Sequence, residues 1–298
     1  MRRFNIDFMG HKWVFLGLSA VLIVVSIAGL LVRGLNLGIE FEGGTAISFT
    51  KVTTVSIGEM RRAFVDAGIK EPGVQSIQGG GYLVRFAESD PDIANTAYVA
   101  VVKSLDLPDD AGDVTTIGPG WGKLITNRAL LAATLAIAAI LLYISIRFDY
   151  KMSMTAVLAL VHDGIIVLGI YAWSGREVTP STIAALLTIL GYSLYDTIVV
   201  FHRIKENSQH ISKQTFSQMA NESINQVLVR SMNTSITSLI PVLALLFFGG
   251  PTLQDFAFAL SVGLISGAYS SVGIAGILYA MWKETEPRYQ ALKKKYAA

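Results

Sequence analysis

Two carboxylates and a guanidinium stand in runs of residues that otherwise carry no charge. Asp163 lies in "VLALVHDGIIVLGIYAW", Asp196 in "GYSLYDTIVVFHR", and Arg230 opens "RSMNTSITSLIPVLALLFF". Within hydrocarbon such groups cost about 2.5–3.5 kcal/mol each on insertion scales. They face a bundle interior or a wet path and mark proton or ion routes. The chemistry open to an acid beside a guanidinium at that depth is proton exchange. Loss of hydration favours the neutral carboxyl, and a nearby cation favours the carboxylate. A change of shape that moves Arg230 toward or away from Asp196 would switch the acid between release and uptake. One proton crossing 100 mV supplies about 2.3 kcal/mol. Asp196 and Arg230 are therefore the candidate proton-coupling pair, and a membrane carboxylate suits Na⁺ as well as H⁺.

Depth ranks the partners. Asp196 is five residues before Phe201, about 8 Å inside its helix end, and a fifth helix starting near Asn225 puts Arg230 at a similar level. Asp163 is eleven residues in from Met152, about 16 Å, so Arg230 is expected to pair with Asp196. Tyr192 and Ser193 precede Asp196 by one turn, on its face. Arg230, Asn233, Thr234 and Thr237 form a polar stripe toward Pro241; these residues also suit simple hydrogen bonding between helices. Asp163 and the adjacent His162 are secondary candidates, His162 as a hydrogen-bonded structural residue. Ala259, Gly263, Ser266, Ser270 and Gly273, at steps of four and three, make a small-residue seam. It suits the interior of one bundle or a separate chain.

The elements that position these residues are membrane helices. Only 15% of the 298 residues are charged and 52% are hydrophobic, against about 25% charged in soluble domains. Trp13–Val32, Ala129–Ile146, Met152–Trp173, Val178–Phe201, Ser231–Phe248 and Phe256–Trp282 are each long enough to cross about 30 Å of hydrocarbon. The first run exceeds a signal-peptide core, so it reads as a retained span. Lys and Arg gather at the flanks that include Arg2, Arg3, Lys12, Arg147, Lys151, Arg203, Lys205 and Lys293–Lys295. This asymmetry places both termini in the cytoplasm of a multi-pass protein in the cytoplasmic membrane. The domain reading is residues 1–32 for the N-terminus and first helix, 33–125 for an external domain, 126–282 for a five-helix bundle and 283–298 for a basic tail. A net charge of +2 argues against a nucleic-acid partner, and zero cysteines exclude disulfides and Cys-based metal sites.

The external segment reads as an α/β domain. "TAISFT" alternates like a strand. Ser56 and Glu59 have capping-box spacing before a helix that stops at Gly68. "VQSIQGGGYLVRF" is a hairpin turning at Gly79–Gly81. Asp90 and Pro91 open a second helix, and "DVTTIG" ends the unit. The order βαββαβ is the ferredoxin-like split pattern, which hosts many functions. No paired carboxylates with a supporting His, nucleophile elbow or phosphate-cradling loop is found in it. A binding or force-transmitting role, or that of a domain that only caps a partner's external part, is expected rather than an enzymatic one, with no cofactor and no metal.

The motifs "LNLGIEFEGGT", "VLALVHDGIIVLGIYAWSG", "AALLTILGYSLYDTIVVFHRIKE", "SINQVLVRSMNTSITSLIPVLALLFFGG" and "FALSVGLISGAYSS", in this order, resemble the SecF family, the smaller membrane subunits of SecD–SecF protein-export complexes. The resemblance implies half a transporter of the resistance-nodulation-division type. Its partner would be SecD, and it would act beside a SecY-type channel to draw preproteins across the membrane with the proton gradient. It also implies proton coupling at Asp196 and Arg230, which match the family's "GYSxxDT" and "NQxLxR" motifs. Tyr195 stands where Asn is common, His202 where Asp is common and Glu40 where Asp is frequent. Two other readings accompany this one: half of a different exporter of that superfamily, carrying lipids or small molecules, and a non-transporting assembly scaffold whose charges only hold helices together.

Overall fold

The computed structural model describes residues 5–50, 52, 55–77 and 80–296. Helix α1 (Lys12–Val32) is followed by a short strand β1 (Asn36–Leu37), one helical turn α2 (Ile39–Glu42) and strand β2 (Gly44–Thr50). Then come α3 (Ile57–Asp66), β3 (Gly73–Ser76), β4 (Gly81–Phe86), α4 (Pro91–Ser104) and β5 (Gly112–Ile117). The bundle adds α5 (Pro119–Arg147), α6 (Tyr150–Ser174), strand β6 (Glu177–Val178), α7 (Pro180–Gln209) and α8 (Phe216–Phe248). It closes with α9 (Gly250–Ser270), a π-helical segment Ser271–Gly276, α10 (Ile277–Lys283) and α11 (Pro287–Tyr296). Among the described residues, six helices are long and apolar enough to cross a membrane.

The external unit is ferredoxin-like. Its four strands run β3-β4-β2-β5 and every pairing is antiparallel. The expected devices are present: Ser56 and Glu59 form a capping box, and Asp90 caps α4 with Pro91 following. The hairpin turn expected at Gly79–Gly81 lies partly outside the described residues. Ile47, Phe49, Met60, Phe64, Val84, Phe86 and Val101 form its core. Gly43 and Gly44 both have positive φ, and a Cβ on Gly44 would run into the Phe86 carbonyl. Only glycine allows the chain to leave α2 and enter β2 there.

Several contacts seat this unit on the bundle, among them Gln75 Nε2 donating to the Gly175 carbonyl at 3.4 Å. β1 pairs in parallel with β6, Asn36 opposite Glu177, tying the exit of α1 to the turn between α6 and α7. Arg85 on β4 forms an ion pair with the buried Glu177. Burial pulls the Arg85 guanidinium down to about 10, against the opposing pull of Asp255 and Glu40. Beside it Arg176 binds Asp255 at 3.0 Å and lies over the Phe258 ring.

Helices α6, α7 and the sixth span make the packed centre, whereas α1, α5 and α8 leave most of their surface uncovered. At the end away from the external unit, Phe201, Phe216, Tyr279 and Tyr289 pack together at tilted and edge-on angles, with Phe216 and Tyr289 centroids 4.5 Å apart. The segment before α1 is held there too: Asn221 Oδ1 accepts from Phe8 N at 2.8 Å, and Asn225 Oδ1 from Ile6 N at 2.9 Å. Three helices extend well beyond the apolar runs. α8 starts at Phe216, capped by a Thr215–Gln218 box, not near Asn225, because capping and polar i,i+4 contacts sustain a helix outside hydrocarbon. α5 likewise starts at Pro119, and α7 continues to Gln209.

Candidate functional site

Asp196 faces α8 and is 3% exposed. Ser231 Oγ donates to its Oδ2 at 2.7 Å, and Ser235 Oγ approaches the same oxygen at 3.4 Å. Among the described residues nothing donates to Oδ1. One turn earlier Tyr192 donates to the Thr234 carbonyl at 3.1 Å and bonds Ser238. Ser231, Ser235 and Ser238, spaced at four and three, are the face of α8 that meets Asp196. That spacing is readable in "SMNTSITS" but runs beside the stripe expected to serve it.

Arg230 does not reach the acid as expected. Its Nη2 donates to Tyr195 Oη at 3.3 Å, its side chain is exposed, and no ion pair joins it to Asp196 among the described residues. The reason is helical geometry. Neighbouring residues differ by about 100° around the axis, so when Ser231 points at Asp196, Arg230 points along the flank of α7, where Tyr195 meets it. Asn233 and Thr237 share that exposed side, and the hydroxyls of Thr234 and Thr237 bond the Arg230 and Asn233 carbonyls of their own helix. The stripe therefore turns Arg230, Asn233 and Thr237 outward, away from Asp196. A hollow of about 410 Å³, walled by Val199, His202, Arg203, Gln226 and Val227, opens between α7 and α8 at Arg230.

Asp163 is the more enclosed acid, 0% exposed. Ser193 and Ser270 donate to its Oδ2, both at 2.7 Å, and Ser266 donates to Oδ1 at 2.6 Å. His162 Nδ1 lies 3.2 Å from Oδ1, and the buried Nε2 of that ring has no partner among the described residues. The nest joins α6, α7 and α9. Ser193 was expected on the face of Asp196. Three residues leave the two side chains about 60° apart, and Ser193 turns to Asp163 instead. A hydroxyl ladder runs beside both acids: Thr197 and Ser271 both donate to the Ser193 carbonyl, and their oxygens are 2.9 Å apart. Ser271 begins the π-helical segment, a distortion that recurs at functional sites.

The small-residue seam is used inside this chain. Ala259 packs with Tyr171 and Ile189, and Gly263 sits directly on Ile189. Ser266 and Ser270 serve Asp163 as hydrogen-bond donors, and Gly273 lies against Tyr269 and Phe15. Sequence reasoning took the two serines as packing residues; their i,i+4 spacing opposite a buried acid was the available signal. Ser231 and Ser235 carried no expectation, whereas Tyr195, noted as standing where Asn is common, is the residue that holds Arg230.

Known proteins are similar to this chain in sequence and in fold. The family described as protein export membrane protein SecD/SecF, C-terminal, matches residues 98–285, and the SecD/SecF GG motif matches residues 28–49, spanning Gly43–Gly44. The protein translocase subunit SecF of Streptomyces coelicolor is 40% identical over 98% of this chain and 80% of its own length. That of Pseudomonas aeruginosa is 36% identical over 92% of this chain and 90% of its own. The crystal structure of SecDF, a translocon-associated membrane protein from Thermus thermophilus, superposes with a TM-score of 0.86 at 35% identity. The match covers 95% of this chain and 39% of that one. With the family model matched over residues 98–285 and relatives 36–40% identical over most of their own length, the chain belongs to the SecF family of protein translocase subunits.

Proposed function

We propose that this chain is the smaller half of a proton-driven protein-export unit, completed by a SecD-type partner. The observation that carries the reading is the polar flank of α8. Arg230, Asn233 and Thr237 are exposed within a membrane span, beside an acid whose one free oxygen is open to a proton. Lipid does not satisfy such groups, so a second protein surface must cover them. A single SecDF chain in Thermus thermophilus joins a match to this chain with a further segment, which supports SecD as that partner.

In this reading Asp196 carries the coupling proton. Ser231 and Ser235 hold one oxygen in place while the other takes up or releases H⁺. Arg230, parked on Tyr195, is the movable cation. A swing across the roughly 100° that separates it from Ser231 brings it to the carboxylate and stabilises the charged form. The hollow between α7 and α8 opens at Arg230 and brings water to that cation. The external unit, seated through Arg85 and Glu177, feels movements of α7 through the short β6 turn and passes them to a translocating preprotein beside a SecY-type channel. The external unit faces outward across the cytoplasmic membrane, with the start of the chain and the α11 tail inside. Protons are the coupling ion, and no enzymatic step or cofactor is involved.

The test is reconstitution with and without the partner. Vesicles holding this chain, a SecD-type partner and the channel should export a preprotein faster when a proton gradient is imposed. Omitting either subunit should remove that stimulation. A chain that stimulates export fully by itself would refute the reading.

A further inference from the structure

A second hollow, of about 350 Å³, lies between α5 and α7 at the end of the bundle away from the external unit. We propose that it binds the headgroup of an anionic phospholipid. Three cationic or titratable groups converge on it from two helices: Arg147, the last residue of α5, with His202 and Lys205 of α7. His202 and Lys205 are three residues apart and so share a helix face. None of the three forms an ion pair among the described residues. The carboxylate on the rim, Glu206, is engaged by Arg203 at 2.7 Å, which leaves the positive charge of the hollow uncompensated.

Its floor is apolar. Phe148, packed edge-on against Phe201, and Ile198 line it. On the face of α5 that carries Arg147 the surface continues past Tyr143, which is exposed, to Ile140. A ligand that fits both parts has a phosphate at one end and hydrocarbon at the other. The hollow also sits at the right level: α5 ends at Arg147 and the chain turns at Phe148–Asp149 into α6, where apolar helix surface gives way to polar residues. A guanidinium binds phosphate oxygens in a fork and an ammonium adds a point charge. Basic pockets between membrane helices are known to hold acidic headgroups in this way. The proposal is independent of the proton reading, since it uses neither Asp196 nor Arg230.

Native mass spectrometry of the purified complex with its SecD-type partner, released from detergent after addition of phosphatidylglycerol or phosphatidylcholine, tests it. The wild type should retain phosphatidylglycerol over phosphatidylcholine. Arg147→Gln with Lys205→Gln should lower that retention about 30-fold, about fivefold for each cation removed near the membrane surface. Lys293→Gln with Lys294→Gln on the tail should leave it unchanged, and inorganic phosphate in excess should not displace the lipid. Equal retention of the two lipids overturns the proposal, as does equal loss from the tail variant. Displacement by free phosphate overturns it as well, because it would make this a site for a soluble anion.

Discussion

Replacing Asp163 with alanine removes the acceptor on which α6, α7 and α9 converge. Three serine hydroxyls at 2.6–2.7 Å lose their partner where no solvent replaces it. Hydrogen bonds between membrane helices average about 0.6 kcal/mol and reach about 1.7, because the unfolded chain in the bilayer also finds partners. Three bonds therefore amount to about 2 kcal/mol, with about 5 as the ceiling. The value of about 1.5–3 kcal/mol for a bond to a charged group in soluble proteins overstates the loss, since it refers to an unfolded state in water. Asp163→Asn keeps Oδ1 for Ser266 and offers an amide to which Ser193 and Ser270 can turn as acceptors. It should lose less than about 1 kcal/mol. Reversible unfolding in mixed micelles, titrated with denaturing detergent and followed by tryptophan fluorescence, measures both variants. Adding Ser266→Ala to Asp163→Ala should cost little more, because the bond is already gone. An alanine variant within about 0.5 kcal/mol of wild type, or one indistinguishable from the asparagine variant, would refute the reasoning.

Gly169 packs on the backbone of Ser26, and any Cβ there would overlap it. Gly169→Val should cost about 1–3 kcal/mol by overpacking and loosen α1. Gly164→Ala, with open space around it, should stabilise by up to about 1 kcal/mol; the same unfolding assay separates them. Where the external unit meets the bundle, Arg85→Glu or Glu177→Arg alone should cost about 3–5 kcal/mol, as breaking a buried pair does. The double reversal should recover most of it, read as protease resistance of the external unit; no recovery would deny the ion pair a seating role. The tail should be acid-sensitive. Burial opposes the charge on Glu284, but hydrogen bonds from Lys293 and Ser217 outweigh it and hold that carboxyl below its ordinary range. A folded-state value below the unfolded one gives stability that is present above about pH 4.5 and lost as pH falls through the folded value. Protection of the α11 amides, corrected for the intrinsic exchange rate, should thus fall only below about pH 4.5. Glu284→Gln should weaken that dependence. The remainder comes from Glu286, where burial again opposes the charge but hydrogen bonds from Lys283 and Lys151 outweigh it and hold the carboxyl down.

What the sequence conveyed depended on how local the signal was. The βαββαβ order was legible because caps, turns and alternation are written within a few residues: Ser56 with Glu59, Asp90 with Pro91, "TAISFT". The six spans were legible because apolar length is an additive property. Helix ends were not, since α8 begins fifteen residues before Ser231 through a cap at Thr215 that hydropathy does not register. The acids could be found individually, as charges in apolar runs. Their partners could not, because a polar neighbour three residues away on one helix is already about 60° aside. Ser193 went to Asp163, Arg230 to Tyr195, and Ser231, one position from the arginine, took Asp196. Which hydroxyl meets which acid depends on the rotation of packed helices, and no single helix encodes that.

Proton-gradient-driven export by Asp196→Asn tests the central claim most directly. Vesicles with the variant, its SecD-type partner and the channel are assayed with and without an imposed gradient, after confirming equal amounts of assembled complex. Export by the variant should continue at the gradient-free rate and gain nothing when the gradient is applied. An asparagine variant accelerated by the gradient as strongly as the wild type would contradict that claim.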